Sequence, residues 1–381
     1  MHSSSTNNEA VVSSDVSTTA SDSNSEVEVP ACLPYSKTRT PSITTSFDRG
    51  EEELLERICA AYKKTLESAA DQASEFHPTL WWQGVQSKHL RPVQQALLSA
   101  DLHALRGMYG NFFFDACGKG LVRRPRNRTN SDTPLGQNDE DLRLIREETL
   151  HHAGCWRATT GGRYPLAILR DALVGNPFGA TIEGVFVTAG SGYHHACATR
   201  ILSLTGTKAA IVEIGGGYGH MAYYLLRDAP GVKYLDFDMP ESLALAAYYL
   251  GRSLPEKRML LYGEGILSID AIENQDILLM PPWEMRSLTR GFANLTFSSH
   301  VISDLTPQAQ ETYLKQIACF TTGYVVDIGC DLSPEGCEAL EGMFSRLFRL
   351  VEKHRLNWGT YRDPGALEWE RVYRVKHGNS L

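Results

Sequence analysis

The spacing of apolar residues divides the chain into regions of different character. Between about residues 46 and 160, apolar residues recur every three to four positions, as in the stretch from Leu54 to Leu66. This spacing is typical of helices that face a core. Acidic residues at Glu51–Glu53 favour a helix start there. Similar patterns follow at 92–114 and 139–156, so we predict a mostly helical region.

From residue 205 onwards, short apolar runs alternate with helical patterns, which predicts a parallel sheet covered by helices on both faces. Two polar-apolar segments at 347–358 and 367–377 face each other across a loop rich in Gly and Pro, which indicates a terminal antiparallel pair. The predicted fold class is therefore α/β. The five apolar runs that we read as parallel strands are AAIVEI (209–214), KYLDFDM (233–239), DILLM (276–280), NLTFSSHVI (294–302) and YVVDIG (324–329).

This pattern predicts three parts. Residues 1–45 are rich in Ser, Thr and Asn with few large apolar side chains, so we expect a disordered tail. Residues 46–190 form a helical cap, in which the segment 161–179 crosses to the sheet, and residues 191–381 form the sheet domain. A helical segment of this kind commonly covers a site and excludes water from it.

Composition and charge narrow the classes of function. The net charge is -8, and the first 30 residues carry five acids and no Lys or Arg, so the remaining chain is nearly balanced and we expect no nucleic-acid partner. No apolar segment approaches the roughly 18 residues of a membrane span, and no secretory signal pattern precedes the helices. Eight scattered cysteines without a zinc spacing predict a reduced, cytoplasmic setting and no metal. The aromatic content is compatible with a homodimer.

A glycine-rich turn follows the first predicted parallel strand, in VEIGGGYGHMAYYLL. Such a turn lets the backbone approach a ligand closely, and the next helix presents free N–H groups. A nicotinamide dinucleotide site requires a small residue where His220 stands, so that ligand is disfavoured. The pattern E-x-G-x-G-x-G is complete at Glu213, Gly215, Gly217 and Gly219, and this spacing suits S-adenosylmethionine.

An acidic residue at the end of the second parallel strand supports this reading. Asp238 stands about 20 residues beyond the glycines, where a carboxylate can accept hydrogen bonds from both ribose hydroxyls. Asp236 is the rival, and we favour Asp238 because the strand ends at Pro240. The alternative for this acid is a buried strand carboxylate satisfied by backbone groups.

These segments, with VGNPFG at 174–179 and NLTFSSHVISDLTPQAQETYLKQI at 294–317, make residues 165–330 resemble the sugar O-methyltransferase family of S-adenosylmethionine-dependent enzymes. The resemblance implies a class I methyltransferase core, a Rossmann-like sheet with a terminal antiparallel strand. The chain departs from the family pattern at Ser298, Ser299, His300 and Asp304. By the resemblance, the residues that contact the cofactor are Glu213, Gly215, Gly217, Tyr218 and Gly219 at the aminoacyl end, and Asp238 and Met239 at the ribose and adenine.

Methylation of a hydroxyl requires removal of its proton, for which histidine is the usual side chain. His300 follows the fourth parallel strand at the carboxyl edge of the sheet, where open α/β sites form. We therefore predict His300 as general base, oriented by Asp304 four residues later. The alternative is a histidine that only packs beneath the cofactor.

A second cluster of candidates lies in GSGYHHACATRI at 190–201. If this segment is a helix, His194 and His195 point about 100° apart, so both cannot face one site. We expect Tyr193 and His194 to bind the acceptor and His195 to be a further catalytic candidate. The alternative is one surface histidine and one core histidine.

Together these features predict an S-adenosylmethionine-dependent methyltransferase acting on a hydroxyl of a small polar molecule, either sugar-like or a secondary metabolite. N-methylation of a small amine is the first alternative. Two further alternatives are a protein that binds the cofactor without turnover and a catalyst that uses S-adenosylmethionine without transferring its methyl group.

Overall fold

Helices build the first part of the protein, as the apolar spacing predicts. The computed structural model describes residues 48–122, 139–330, 334–361 and 367–376, so the predicted disordered tail lies outside the described residues. The first helix is capped by Asp48, whose side chain accepts a hydrogen bond from the backbone N–H of Gly50. The helices of this region are α1 (Arg49–Ala69), α2 (Leu80–Val85), α3 (Arg91–Ser99), α4 (Leu102–Tyr109) and α5 (Asp139–Thr159).

The helical pattern predicted at 92–114 is not one helix. Helix α3 ends at Ala100, which takes a left-handed conformation with φ of 54°. The next residue, Asp101, caps α4 by accepting a hydrogen bond from the backbone N–H of Ala104 at 3.0 Å. An Asp at this place favours a helix start over a helix interior, so the break follows from capping chemistry.

The sheet has eight strands among the described residues, in the order β5-β6-β4-β3-β7-β8-β10-β9. The first six are parallel, and β10 runs antiparallel to both of its neighbours. This confirms the predicted fold class, a mostly parallel Rossmann-like sheet with a terminal antiparallel strand. The strands are β1 (Gly179–Ile182) and β2 (Val185–Thr188), which form a separate hairpin, then β3 (Ala210–Ile214), β4 (Lys233–Phe237), β5 (Met259–Leu261), β6 (Ile277–Met280), β7 (Ala293–Ser299), β8 (Thr321–Cys330), β9 (Phe348–Leu356) and β10 (Glu368–Val375).

Helices cover both faces of the sheet and give it two apolar cores. Alternate residues of a strand point to opposite faces, so Ile211 of β3 joins one core while Val212 joins the other. The cap helices α1, α3 and α4 pack into the core that contains Ile211. The remaining helices are α6 (Ser191–Thr205), α7 (His220–Asp228), α8 (Pro240–Ser253), α9 (Ile269–Asn274), α10 (Pro307–Phe320) and α11 (Pro334–Leu347).

The cap is joined to the sheet domain by buried polar contacts as well as by apolar packing. Glu241, in the first turn of α8, accepts hydrogen bonds from Tyr62 Oη at 3.2 Å, Gln94 Nε2 at 2.7 Å and Gln86 Nε2 at 3.1 Å. All three donors belong to the cap. Residues 41–381 group as one unit, which includes the predicted cap and the predicted sheet domain.

Two kinds of feature are missing from the described residues. No helix there is both long enough and apolar enough to cross a membrane. In the same residues, no group of three or more His, Cys, Asp and Glu side chains is placed to hold a metal ion.

Candidate functional site

A cavity of about 420 Å³ lies between the cap and the carboxyl ends of the parallel strands. This volume is within the range of about 300–1,000 Å³ that is usual for small-molecule sites. The strand register explains its position: Ile214 of β3 pairs with Phe237 of β4 and with Ser298 of β7, so the residues that follow these strands lie side by side. Candidates from three separate segments thus meet at one edge, as open α/β sheets favour.

The glycine turn after β3 forms the floor of this cavity. Gly217 has a φ of +63°, which favours glycine, and no protein atom lies within 4 Å of the place where a Cβ would stand. Gly215 is instead packed against Val301. Both glycines line the cavity, together with Glu213 and Tyr218. Because the space beside Gly217 is open, the backbone there can approach a ligand closely.

Asp236, in β4, and Asp238, directly after it, have different surroundings. Asp238 lines the cavity, and its carboxylate accepts hydrogen bonds from the backbone N–H groups of Gly217 at 2.9 Å and Met239 at 2.6 Å. Asp236 is fully buried and accepts a hydrogen bond from the backbone N–H of Gly216 at 2.9 Å. The structure therefore places Asp238 at the cavity, while Asp236 braces the turn from below.

Three acids around the glycine turn, Glu213, Asp236 and Asp238, lie close enough to influence one another's pKa values. Burial and the charge of Asp238 raise the pKa of Glu213 to about 8, although the Tyr234 hydroxyl donates a hydrogen bond to it. Burial raises the pKa of Asp238 to about 6. Burial also raises the pKa of Asp236 well above its usual value, with further contributions from Asp238 and Glu213. None of the described lining residues is Lys or Arg. A cationic ligand would stabilise the ionised forms of these acids, whereas a pyrophosphate would find no cationic side chain in this lining to balance its charge.

His300 stands at the cavity immediately after β7, with a φ of 60° and its backbone N–H donating to the carbonyl of Ile328 at 2.7 Å. Its Nε2 lies 2.9 Å from Oε1 of Glu368, which is buried at the start of β10. Asp304, the predicted orienting residue, also lines the cavity. Sequence analysis missed Glu368, because no local pattern connects two residues on strands so far apart in the chain.

Helix α6 separates the three candidates of the second cluster. Tyr193 and His194 line the cavity, and the hydroxyl of Tyr193 lies 2.6 Å from the Ser299 hydroxyl at the end of β7. His195 does not line it; this side chain is buried, and its Nδ1 accepts a hydrogen bond from Trp156 Nε1 at 3.0 Å. The expectation of a catalytic role for His195 is therefore corrected: its ring points into the packing between α5 and α6.

An aromatic wall formed by Trp81 and Trp82 closes the cap side of the cavity. The two indole rings lie with their centroids 5.7 Å apart. Gly120, with a φ of +85°, lets Trp82 approach closely, since a Cβ there would stand 2.8 Å from Trp82 Cζ3. Trp82 Nε1 is buried and has no hydrogen-bond partner among the described residues.

No family model matches the chain, and no curated protein matches it. Among solved structures, it is similar to the N-methyltransferase NodS from Bradyrhizobium japonicum WM9 in complex with S-adenosyl-L-homocysteine (14% identity, TM-score 0.35, 49% of this chain and 88% of NodS). It is also similar to the mitomycin 7-O-methyltransferase MmcR (16% identity, TM-score 0.33, 49% of this chain and 56% of MmcR). A third similar structure is that of the pyocyanin biosynthetic protein PhzM (16% identity, TM-score 0.34, 63% of this chain and 74% of PhzM). Because these identities and TM-scores are low, we infer function from the geometry of the cavity and not from these proteins.

Proposed function

We propose that this protein binds S-adenosylmethionine and transfers its methyl group to a hydroxyl of a small polar molecule. The observation that carries this proposal is the cradle of Glu213, the open glycine turn and Asp238 at one edge of the sheet. Asp238 would accept hydrogen bonds from the ribose hydroxyls beside Met239, and the turn would hold the aminoacyl end. When bound, S-adenosylmethionine supplies a methyl group that is already activated on a positively charged sulfonium.

The charges of the cradle support this ligand over a nicotinamide dinucleotide. Burial raises the pKa values of Glu213, Asp236 and Asp238, and neighbouring carboxylates add to the effect, so a positive charge placed near these acids would stabilise their ionised forms. A dinucleotide would bring the negative charges of its pyrophosphate to the same acids, with no lining Lys or Arg to balance them in the described residues.

The acceptor side of the cavity supports oxygen as the methylated atom. His300 Nε2 faces the buried carboxylate of Glu368, which favours a proton on Nε2 and leaves the lone pair on Nδ1. A lone pair on Nδ1 can accept the proton of an acceptor hydroxyl, and Glu368 stabilises the imidazolium that forms. The hydroxyls of Tyr193 and Ser299 lie beside it and can position the acceptor.

Methylation of a neutral amine leaves the positive charge on the acceptor nitrogen, and ionised carboxylates near the cavity would stabilise that charge, so N-methylation is the second candidate. A deprotonated amine needs alignment more than a base. Replacing the base in His300→Gln should therefore lower turnover of a hydroxyl acceptor strongly and turnover of an amine acceptor little. Formation of S-adenosylhomocysteine with each acceptor class measures the difference, and conversion of an acceptor without that product would indicate non-methylating chemistry.

Calorimetric titration of the purified protein with S-adenosylmethionine, S-adenosylhomocysteine and NAD tests the proposal. We expect both sulfur ligands to bind, NAD to give no heat, and Asp238→Ala to weaken binding by about tenfold or more, the loss of charge-assisted hydrogen bonds. Asp270→Ala, which removes an exposed carboxylate on α9, is the matched control. A folded protein that binds neither sulfur ligand would contradict the proposal. Binding without turnover of any acceptor would favour a cofactor-binding protein.

A further inference from the structure

A buried chain of four polar side chains runs beside the cavity, separate from the cradle acids. The Tyr249 hydroxyl donates to Asp171 Oδ1 at 2.7 Å, and Asp171 Oδ2 lies 2.5 Å from His220 Nε2. His220 Nδ1 lies 2.6 Å from the Tyr218 hydroxyl. The side chains of Asp171 and His220 are 1% and 0% exposed. The Asp171 carboxylate lies close to Nε2 but off the ideal direction for an Nε2–H hydrogen bond, so these two groups are related by proximity.

The arrangement fixes where the protons lie. The Asp171 carboxylate can only accept, so it favours a proton on the Nε2 that faces it. The ring of His194 lies with its centroid only 4.6 Å from that of His220, where two charged imidazoles would repel each other. A neutral His220 protonated at Nε2 carries a lone pair on Nδ1. The Tyr218 hydroxyl must then donate its proton to Nδ1.

This assignment determines whether the Tyr218 hydroxyl can donate or accept a hydrogen bond toward the cavity. Its only proton is directed at His220, so its oxygen presents lone pairs and no donor to its other neighbours. Tyr218 lies within the glycine turn, next to Gly217, and both line the cavity. Glu213 and Asp238 line the cavity at the same turn, and a cation close to them would stabilise their ionised forms. An oxygen acceptor beside these acids is matched by a cationic N–H donor.

We propose that Asp171, acting through His220, holds Tyr218 as a hydrogen-bond donor to His220 and thereby keeps its oxygen as an acceptor for the ammonium group of S-adenosylmethionine. The inference rests on the proposed function and deepens it. Asp171 and His220 are positioning residues in this scheme, and Tyr218 is the group that contacts the ligand. These hydrogen-bonded side chains transfer no proton to the ligand, so their role is to recognise the ligand and not to catalyse a reaction.

The first test compares S-adenosylhomocysteine with 5′-methylthioadenosine, which lacks the whole aminoacyl group. In Tyr218→Phe, calorimetry should show affinity for S-adenosylhomocysteine lower by about 10- to 100-fold, the effect of losing one hydrogen bond to a charged group. Affinity for 5′-methylthioadenosine should stay within about twofold. Tyr224→Phe is the matched control, because its buried hydroxyl donates to the Leu169 carbonyl and does not line the cavity.

The outcomes separate the inference from the proposed function. If wild-type protein binds S-adenosylhomocysteine and Tyr218→Phe binds it equally well, the inference fails while the proposed function stands. An equal loss for both ligands would mean that Tyr218 only shapes the cavity, and this also overturns the inference. If the folded wild-type protein does not bind S-adenosylhomocysteine, the proposed function itself fails.

The second test reads the protons directly in ligand-free protein by NMR of ¹⁵N-labelled histidine rings, with His220→Asn to assign the signal. Wild-type His220 should carry its proton on Nε2. In Asp171→Asn the side-chain amide can donate to Nε2, so the proton should move to Nδ1 and affinity for S-adenosylhomocysteine should fall. A doubly protonated ring in the wild type, or an unchanged ring in Asp171→Asn, would overturn the assigned role of Asp171. A purely structural role would not move this proton.

Discussion

Two glycines far apart in the chain provide a controlled comparison of backbone strain and ligand space. Gly217 and Gly161 have φ values of +63° and +62°, and neither has a protein atom within 4 Å of the place where a Cβ would stand. Only Gly217 lines the cavity. The conformational cost of alanine should therefore be similar at both positions, whereas its effect on a ligand should differ.

We expect Gly217→Ala and Gly161→Ala each to lower the free energy of unfolding by about 1–2 kcal/mol, the cost of a left-handed non-glycine residue. Gly217→Ala should in addition weaken binding of S-adenosylhomocysteine by more than about tenfold, because the methyl group fills space that the ligand needs. Thermal unfolding and calorimetric titration measure the two effects. Equal affinity of the two variants would show that the turn is not the ligand floor.

The raised pKa values of Asp238 (about 6) and Glu213 (about 8) predict how affinity depends on pH. A cation favours the ionised carboxylates, so binding releases protons, and affinity for S-adenosylmethionine should rise by about tenfold or more between pH 5.5 and 8.5. S-adenosylhomocysteine lacks the sulfonium charge and should show a weaker dependence. Calorimetry at several pH values measures both, and a flat profile would contradict the assigned charges.

The same raised pKa values predict that the stability of the ligand-free protein falls as pH rises, whereas the affinity for the ligand rises. Asp238 and Glu213 bind protons more tightly in the folded state than in the unfolded state. Their contribution to stability is therefore fully present below their unfolded pKa values near 4, and it is lost as pH rises through about 6 and 8. Bound S-adenosylmethionine should offset part of this loss, which thermal unfolding at pH 5.5 and 8.5 would reveal.

The sequence predicted residues whose roles follow from local patterns. Gly217 and Asp238 were found because a glycine turn and an acid after the next strand have characteristic spacing, and both line the cavity. Glu368 and Asp171 were not found, because their partners His300 and His220 are brought to them by the fold and not by spacing. The choice between His194 and His195 could not be made from the sequence, because helical spacing alone does not tell which side of α6 faces the cavity.

At the scale of elements, the short helix α2 can place its two tryptophans along the cavity because the turn at Gly120 has no side chain in their way. Thr79 caps α2 by accepting a hydrogen bond from the backbone N–H of Trp82 at 3.3 Å. A Cβ at Gly120 would stand 2.8 Å from Trp82 and 3.4 Å from Trp81. Gly184, in the turn between β1 and β2, has a comparable φ of +76° but no atom within 4 Å.

Gly120→Ala should therefore displace the aromatic wall, whereas Gly184→Ala should add backbone strain alone. We expect affinity for S-adenosylmethionine to fall by about three- to tenfold in Gly120→Ala, less than a full loss of contact, and to stay within about twofold in Gly184→Ala. Calorimetry and the intrinsic tryptophan emission of the two variants measure the effect. Unchanged emission and affinity in Gly120→Ala would show that the wall does not depend on this turn.

Elements with a strong period were predicted well, and elements defined by a few residues were not. The apolar run 209–214 contains β3, and the two terminal segments that we predicted as an antiparallel pair contain β9 and β10. The hairpin of β1 and β2 was missed, since its strands have four residues each and its two-residue turn is Glu183–Gly184, not the more usual Asn–Gly or Asp–Gly. Strand β5, with three residues, gives too short a pattern to recognise.

At the scale of the whole molecule, the cap and the sheet domain share polar contacts that neither part can satisfy by itself. The buried carboxylate of Glu241 receives three donors from the cap. Tyr248 on α8 donates to the buried Glu51 of α1 at 2.7 Å, which also pairs with Arg106 at 3.2 Å. These contacts cross between the two parts in both directions, so we expect cap and sheet to unfold together.

Glu241→Ala should lower the free energy of unfolding by about 2–4 kcal/mol, because it leaves the buried Tyr62 hydroxyl and the part-buried amides of Gln86 and Gln94 without their acceptor. The transition should remain single in thermal unfolding followed by circular dichroism and tryptophan emission. Glu273→Ala, which removes an exposed carboxylate on α9, is the control and should have little effect. Two separate transitions in Glu241→Ala would instead show that the cap has its own stability.

The position of β10 in the sheet has a consequence for how the protein is made. This strand comes last among the described strands, yet it inserts between β8 and β9 and brings Glu368 to His300. Synthesis proceeds from the N-terminus, and folding can begin before it is complete. A nascent chain that has passed β7 already contains the glycine turn, Asp238 and His300, but not the carboxylate that orients the imidazole. The ribosome must therefore synthesise nearly the whole described chain before Glu368 can orient the imidazole of His300, the proposed base.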